Sequence, residues 1–412
     1  MSQQERQRYH LLQMVLDGRI TLKDAGERME VSYRHAKRLK RRFRLYGAKG
    51  LIHGNRGRPS PNALDHELAK NIIELSRNKY KNFNDTHFTE KLREIECITV
   101  GRDTVRRLRR NNGIKPKRRR RPKRHFKRRS RSPQEGMMVL WDGSPHKWFG
   151  EDKPPCCLMA AIDDATGRLL EAFFIKYECS FGYLKLLKKV ITRYGIPLAI
   201  YQDRHSSLHR NDGNWTIAEQ LAGEQEPTQV GSALKSFGIK PIFALTPQAK
   251  GRVERPFGIL QDRLIAEMEL WNIKEIEAAN IFLKDIFIKD YNHRFAIMPE
   301  TSQQAWRKVS RDLDIERTIS FRYQAVVAND NAVRLGGIVI DIPEGPGQRG
   351  YAKAKVEVRQ LLDGSWRVYY KDKLIAKTDP TPLKEPIRAR PRTKPKLKAA
   401  SEERWVYIAS AY

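Results

Sequence analysis

The chain has 412 residues, which permits several domains and a large core. It carries 80 Lys and Arg against 48 Asp and Glu, a formal charge of +32, so a polyanionic partner is expected, either nucleic acid or an anionic membrane. No apolar run reaches the roughly 18 residues of a membrane span and no apolar leader is evident. A cytoplasmic protein that meets nucleic acid is therefore the simpler expectation, with no membrane partner.

Four cysteines (Cys97, Cys156, Cys157, Cys179) lack Cys-x-x-Cys spacing and read as small side chains in a reducing compartment. The ten histidines are scattered and give no zinc pattern.

Residues 1–53 read as a helix-turn-helix domain. Tyr9, Leu12 and Leu16 mark a helix over 5–16. Thr21 can cap a second helix with Leu22, Ala25 and Met29 inward. Ser32 can cap a third, whose apolar stripe is Ala36, Leu39 and Phe43. Arg34, Lys37, Arg38 and Arg41 fall on its other faces, as a DNA-reading helix requires. A generic three-helix bundle is the bland alternative. Residues 54–61 form a Gly/Pro-broken linker, or a basic arm that places Arg56 and Arg58 in a minor groove.

A second unit over 62–114 repeats the plan. Leu68, Ile72 and Leu75 make one stripe; Phe88, Leu92 and Ile95 make another. Thr99 could cap a final helix from about Arg102, with Val105 and Leu108 inward and Arg102, Arg106, Arg107, Arg109 and Arg110 outward for DNA. A basic linker follows over 115–136. Between Lys115 and Arg131 lie 12 Lys or Arg in 17 residues, Arg118, Arg119, Arg120 and Arg121 among them, without an acid. Such a run follows a phosphate backbone more readily than it folds.

The composition then changes. Met137–Leu140 reads as a strand leading to Asp142, Cys156–Ile162 as a second, and Leu169–Tyr177 as a third after the turn Asp163-Asp164-Ala165-Thr166-Gly167. A helix over 182–194 precedes a fourth strand, Pro197–Tyr201, which ends at Asp203. Glu254 opens a segment where Val253, Phe257, Leu260 and Leu264 share a helical face. Three converging carboxylates repel one another unless a cation sits among them, and oxygen ligands favour Mg²⁺ or Mn²⁺. Two such ions serve phosphoryl transfer. Asp163 and Asp164 read instead as turn residues, and Asp152 and Asp212 as surface and loop charges.

The sequences Trp141-Asp142-Gly143-Ser144-Pro145-His146, Ile162-Asp163-Asp164-Ala165-Thr166-Gly167, Asp203-Arg204-His205-Ser206 and Pro247-Gln248-Ala249-Lys250-Gly251-Arg252-Val253-Glu254-Arg255 together resemble a DDE transposase with an integrase-type catalytic core, close to the ISNCY-like bacterial insertion-sequence group. The resemblance spans about 1–375 and is strongest over 137–300. It implies an α/β RNase H-like catalytic core with Asp142, Asp203 and Glu254 as catalytic and metal-binding residues. It also implies cleavage at element ends, strand transfer of the 3′-hydroxyl into target DNA, and a homo-oligomer on paired ends of double-stranded DNA.

Two features depart from the pattern. The Asp203–Glu254 gap is longer than in retroviral integrases, with residues 207–230 as an inserted loop or short helical segment. Pro256 also disturbs the start of the glutamate helix, so that helix either begins near Glu254 or kinks there. Lys250, Arg252 and Arg255 are candidates for phosphate contact and His205 for an accessory role.

Residues 301–320 read as a helical connector. Period-two segments over 321–378 suggest a small C-terminal β barrel, with a hairpin at Asp363-Gly364. Residues 379–412 read as a basic disordered tail. A catalytically silent DNA-binding regulator and an RNase H-type nuclease are the competing functions. The expected location is the cytoplasm of a bacterium, on the nucleoid.

Overall fold

In the computed structural model the described residues are 1–57, 63–117, 129–210, 215–243, 247–382 and 386–387; the side chains of 218 and 247–254 are outside the description. The chain divides into two compact units, Met1–Glu74 and Leu75–Tyr412.

The first unit begins with α1 (Gln3–Leu16), α2 (Leu22–Arg28) and α3 (Tyr33–Tyr46). Thr21 and Ser32 cap α2 and α3, each side-chain oxygen accepting a backbone N–H three residues on, as their positions predicted. Leu12, Val15, Ala25, Met29, Ala36, Leu39 and Phe43 close one core. Tyr9 lies at its rim, edge-on to Phe43 at 5.3 Å.

The unit boundary falls inside α4 (His66–Arg77). Beyond it, α5 (Asp85–Glu94) and α6 (Arg102–Asn111) belong to the larger unit. Gly101, not Thr99, occupies the N-cap of α6, and no side chain caps it.

The sheet of the larger unit comprises β1 (Met138–His146), β2 (Cys156–Asp163), β3 (Leu169–Ile175), then, after α7 (Ser180–Tyr194), β4 (Ala199–Gln202). Two short helices, α8 (Ile217–Ala222) and α9 (Gln229–Ser236), lead to β5 (Lys240–Phe243). The strand order is β3-β2-β1-β4-β5, with β1–β2–β3 antiparallel and β1–β4–β5 parallel. The predicted strands are present, while β5 had no counterpart in the sequence reading.

Both faces of the sheet are covered, as the alternation along β2 shows. Leu158, Ala160 and Ile162 join the core that includes Phe257, Leu260 and Leu264 of α10 (Pro247–Leu270). Cys157, Met159 and Ala161 join Leu184, Leu187 and Ile191 of α7 on the other face. Pro256 lies inside α10.

After α10 come α11 (Ile276–Phe282), a π-helical stretch Leu283–Phe287, and α12 (Ile288–Phe295). Asn280 bonds both backbone groups of Phe174, at 2.6 and 3.2 Å, and Asn292 both of Leu169, at 2.7 and 2.9 Å. The Tyr291-Asn292-His293-Arg294 group thus ties helix to strand.

The connector differs from expectation. Its one helix is α13 (Ile315–Thr318), and the preceding residues form an extended strap. The physical reason is that its backbone already has partners. Ala305 donates to Glu135 at 2.8 Å, and Arg307 and Ile196 exchange bonds at 2.9 and 2.8 Å. Trp306 also packs over Gly136, whose φ of +86° and lack of a side chain admit the indole.

The C-terminal strands are β6 (Phe321–Val326), β7 (Ala332–Leu335), β8 (Ile338–Asp341), β9 (Lys355–Gln360), β10 (Trp366–Tyr370) and β11 (Lys373–Lys377). Gly336 and Gly337, with φ of +59° and +84°, make the two-residue turn from β7 to β8. The predicted hairpin at Asp363-Gly364 joins β9 to β10. These strands enclose one core around Val358, Trp366 and Val368, but they form an open sheet β11-β10-β9-β6 and a separate ribbon β7-β8. No ladder closes them into a barrel among the described residues.

Candidate active site

The parallel ladder of β1 and β4 pairs Met138 with Ala199, Val139 with Ile200 and Leu140 with Tyr201. One step further, Trp141 Nε1 donates to Gln202 Oε1 at 2.9 Å. Carried on by one more residue, the register sets Asp142 beside Asp203. Side chains alternate along a strand, so Asp142 follows Leu140 onto the sheet face packed by α10, and Asp203 comes directly after the end of β4. On that face Gln261 of α10 donates to Ser144 Oγ at 3.2 Å.

β1 does not end at Asp142, as the sequence suggested, but continues to His146 because β2 pairs with it all the way to Cys156. Asp142 is therefore held in a strand. Both carboxylates are half-buried and oriented by backbone: Asp142 Oδ1 accepts Gly143 N at 3.0 Å, and Asp203 Oδ1 accepts His205 N at 2.9 Å.

Glu254, Lys250 and Arg252 belong to α10, but their side chains fall outside the described residues. Arg255 is exposed and, with Gly258, Ile259, Asp262 and Lys117, lines an open cavity of about 760 Å³. Among the described residues no three His, Cys, Asp or Glu side chains are grouped to hold a metal ion. The carboxylate oxygens of Asp142 and Asp203 are nevertheless the hard donors that Mg²⁺ and Mn²⁺ take.

A carboxylate missed by the sequence reading lies on the α7 side of the sheet, against Gly143, the residue after Asp142. Glu178, between β3 and α7, accepts the Tyr183 hydroxyl at 2.6 Å and faces His205 Nδ1 at 3.6 Å. Burial, followed by the charges of Glu178, Asp142 and Asp203, pushes the Tyr183 hydroxyl far above the usual phenol range. His205 thus has a protein neighbour, and its Nδ1 also accepts Ser207 N at 3.3 Å. Asp163 closes β2 and Asp164 opens the turn that follows: Asp163 accepts Gly136 N and the Thr166 amide and hydroxyl, and Asp164 accepts from Arg129 and Ser132. Asp212 lies outside the described residues. Trp141 and Trp148 are core side chains, 2% and 1% exposed, and are not available to stack on a base.

Residues 7–60 match the family model of a helix-turn-helix domain. The chain is 33% identical to the putative transposase y4bF of Sinorhizobium fredii (strain NBRC 101917 / NGR234), over 91% of this chain and 83% of that one. The chain belongs to this transposase family. It is also 29% identical to the transposase for insertion sequence IS1202 of Streptococcus pneumoniae, over 90% of this chain and 85% of that one. Among solved structures, the HTLV-2 integrase catalytic core domain in complex with magnesium is similar at 18% identity, covering 37% of this chain and 84% of that one with a TM-score of 0.25. Family membership rests on the sequence relatives.

For a transposase, the basic residues divide by environment. Arg34, Lys37, Arg38 and Arg41 are exposed on α3, opposite its buried stripe. Arg56 is exposed but pairs with the buried Glu5 at 2.8 Å, so the arm is partly tied to its own unit. Arg102 and Arg106 are exposed on α6, with Arg102 near Asp103 at 3.4 Å.

Arg109 departs from expectation. It is 3% exposed, bonds Asp85 at 2.8 Å and the Phe83 carbonyl at 3.1 Å, and lies over the Phe88 ring. Arg110 takes the other Asp85 oxygen at 2.5 Å. Arg109 stands four residues after Val105, on the inward stripe, and that spacing was the available signal. Arg58 and Arg118, Arg119, Arg120 and Arg121 lie outside the described residues.

Proposed function

We propose that this chain is a DDE transposase of the ISNCY-like group, with an RNase H-like core in which Asp142, Asp203 and Glu254 are the catalytic and metal-binding residues. It would cleave phosphodiesters at the element ends and transfer the resulting 3′-hydroxyl into target DNA. The observation that carries this reading is the β1–β4 ladder, whose register carried two residues past Leu140 and Tyr201 brings Asp142 level with Asp203, in a sheet covered on the Leu140 face by α10, the helix that contains Glu254.

Mg²⁺ or Mn²⁺, as two ions held by these carboxylates, would lower the pKa of the attacking water or hydroxyl and neutralise charge on the leaving oxygen. The protein's part is to hold the donors still. Asp142 is fixed in a paired strand, and Asp203 is turned by the amide of His205. Lys250, Arg252 and Arg255 then neutralise phosphates near Glu254, while α3, α6 and the basic linker engage element and target DNA. We assign the modules as 1–53, 62–114, 137–300 and 321–378, joined by 54–61, 115–136 and 301–320 and followed by the 379–412 tail. A homo-oligomer on paired ends, working in the bacterial cytoplasm on the nucleoid, completes the proposal.

The test is Mg²⁺- or Mn²⁺-dependent cleavage and joining on the element's own end DNA, with binding measured alongside. Asp142→Asn, Asp203→Asn and Glu254→Gln are each expected to lose at least about 100-fold in rate, a cost on the order of 3 kcal/mol in barrier, while binding persists. Binding by the wild type without either reaction, with both ions and paired ends supplied, would favour the silent regulator.

A further inference from the structure

We propose that Glu178 is a positioning residue for this reaction, bracing the two strand ends that carry Asp142 and Asp203. The inference rests on the active-centre reading above and adds a residue to it.

The β1–β4 ladder pairs residues as far as Leu140 and Tyr201, two residues short of the carboxylates. Past that point Trp141 Nε1 donates to Gln202 Oε1 at 2.9 Å, and the residues beyond can take a further tie. Glu178 is placed to supply one. Its carboxyl group accepts the Tyr183 hydroxyl of α7 at 2.6 Å, which fixes it to a fully buried side chain. It faces the His205 ring at 3.6 Å, two residues beyond Asp203. It also lies directly against Gly143, one residue beyond Asp142: a Cβ built there would stand 2.6 Å from Glu178 Cδ and 2.8 Å from Oε2. One carboxyl group, 15% exposed, therefore packs against Gly143, directly after Asp142, stands 3.6 Å from His205, two residues after Asp203, and is anchored from behind by Tyr183.

What the carboxyl group supplies is fixed geometry: the tyrosine hydroxyl orients it, and it in turn restrains the Gly143 and His205 segments. Partners of ligands that act in this way typically contribute about 10–100-fold in metal affinity or activity.

The experiment uses the full chain and compares wild type with Glu178→Ala, Glu178→Gln, Tyr183→Phe and Asp142→Asn. Mn²⁺ binding is followed by titration calorimetry, cleavage of end DNA at varied Mg²⁺ is the second readout, and thermal unfolding is the control. Glu178→Ala should weaken Mn²⁺ binding and cleavage by about 10–100-fold while remaining folded. Glu178→Gln, which still accepts the Tyr183 hydroxyl, should restore both to within about threefold and unfold no earlier than wild type. Tyr183→Phe should fall between them.

A Glu178→Ala protein that binds Mn²⁺ and cleaves like wild type overturns the brace. So does a Glu178→Gln protein as impaired as Glu178→Ala, since the negative charge itself would then be the requirement. Asp142→Asn separates the two claims. If it loses binding and cleavage while Glu178→Ala does not, the brace alone fails. If it retains both, or if wild type neither binds Mn²⁺ nor cleaves, the active-centre reading fails and the brace with it.

Discussion

Individual side chains show how far a charge pattern can be trusted. The apolar run before Asp203 marks β4, which ends one residue before it, whereas the run before Asp142 opens a strand that continues past it to His146 because β2 pairs with it throughout. Glu178 was not legible, because Lys176-Tyr177-Glu178-Cys179 has no periodicity and its role depends on Tyr183, His205 and Gly143, brought together only by the fold. Arg109 was misread because five arginines in one short helix hide which of them faces inward. The structure makes a contrast that can be measured. Arg109→Ala leaves Asp85 with one of its two cationic partners and should cost about 1–3 kcal/mol in denaturant unfolding, the loss of charged hydrogen bonds made by a buried side chain. Arg106→Ala, from an exposed position on the same helix, should leave stability within about 0.5 kcal/mol and lower the salt slope of DNA binding by about 1.

Whole elements meet through chemistry that the sequence did not announce. Helix α5 is joined to α10 by polar pairs: Glu267 Oε1 receives both His87 Nε2 and Lys91 Nζ at 2.7 Å, and Arg263 pairs with Glu90 at 2.6 Å. Lys91 supplies the positive charge that balances Glu267. Burial then holds the His87 pKa below its ordinary value, despite the pull of Glu267 toward protonation. His87 Nδ1 has no hydrogen-bond partner among the described residues, so a second ring proton would be unsatisfied. A histidine whose folded pKa is depressed contributes stability above its ordinary value, about pH 6.5, and that contribution is lost as pH falls. Glu267 acts in the same direction at lower pH: burial raises its pKa, but hydrogen bonds from His87 and Lys91 outweigh this and hold it below the usual range. Amide hydrogen exchange in α5, corrected for its intrinsic pH dependence, should show less protection at pH 5.5 than at pH 7.5, and His87→Gln should flatten the difference above pH 5.5. Equal protection at both values in the wild type would mean that the buried neutral ring does not support the junction. None of this was visible in the sequence, since 180 residues separate His87 from Glu267. The Thr21 and Ser32 caps, strands β1 to β4 and the C-terminal hairpin were visible because their signals are local. The strap over 301–313 was not, because its backbone pairs with distant segments.

On the scale of the whole molecule, the charge of +32 is spread over modules with different duties. The exposed arginines and lysines of α3 stand outside a closed core, so replacing Arg38 and Arg41 together with Ala should weaken DNA binding without unfolding the first unit. For every phosphate these variants no longer neutralise, the slope of log affinity against log salt should fall by about 0.9, measured between about 50 and 200 mM salt. An unchanged slope would remove α3 from the DNA-binding surface.

The two asparagine amides on β3 have a consequence for how copies of this chain can meet. An outermost strand with free backbone groups is a template on which another chain can add a strand of its own. At Leu169 and Phe174 those groups are already taken by Asn292 and Asn280. A strand from a second copy would have to displace both amides before it could lengthen the sheet from that side. At these two positions that margin of the sheet is capped by the chain's own helices.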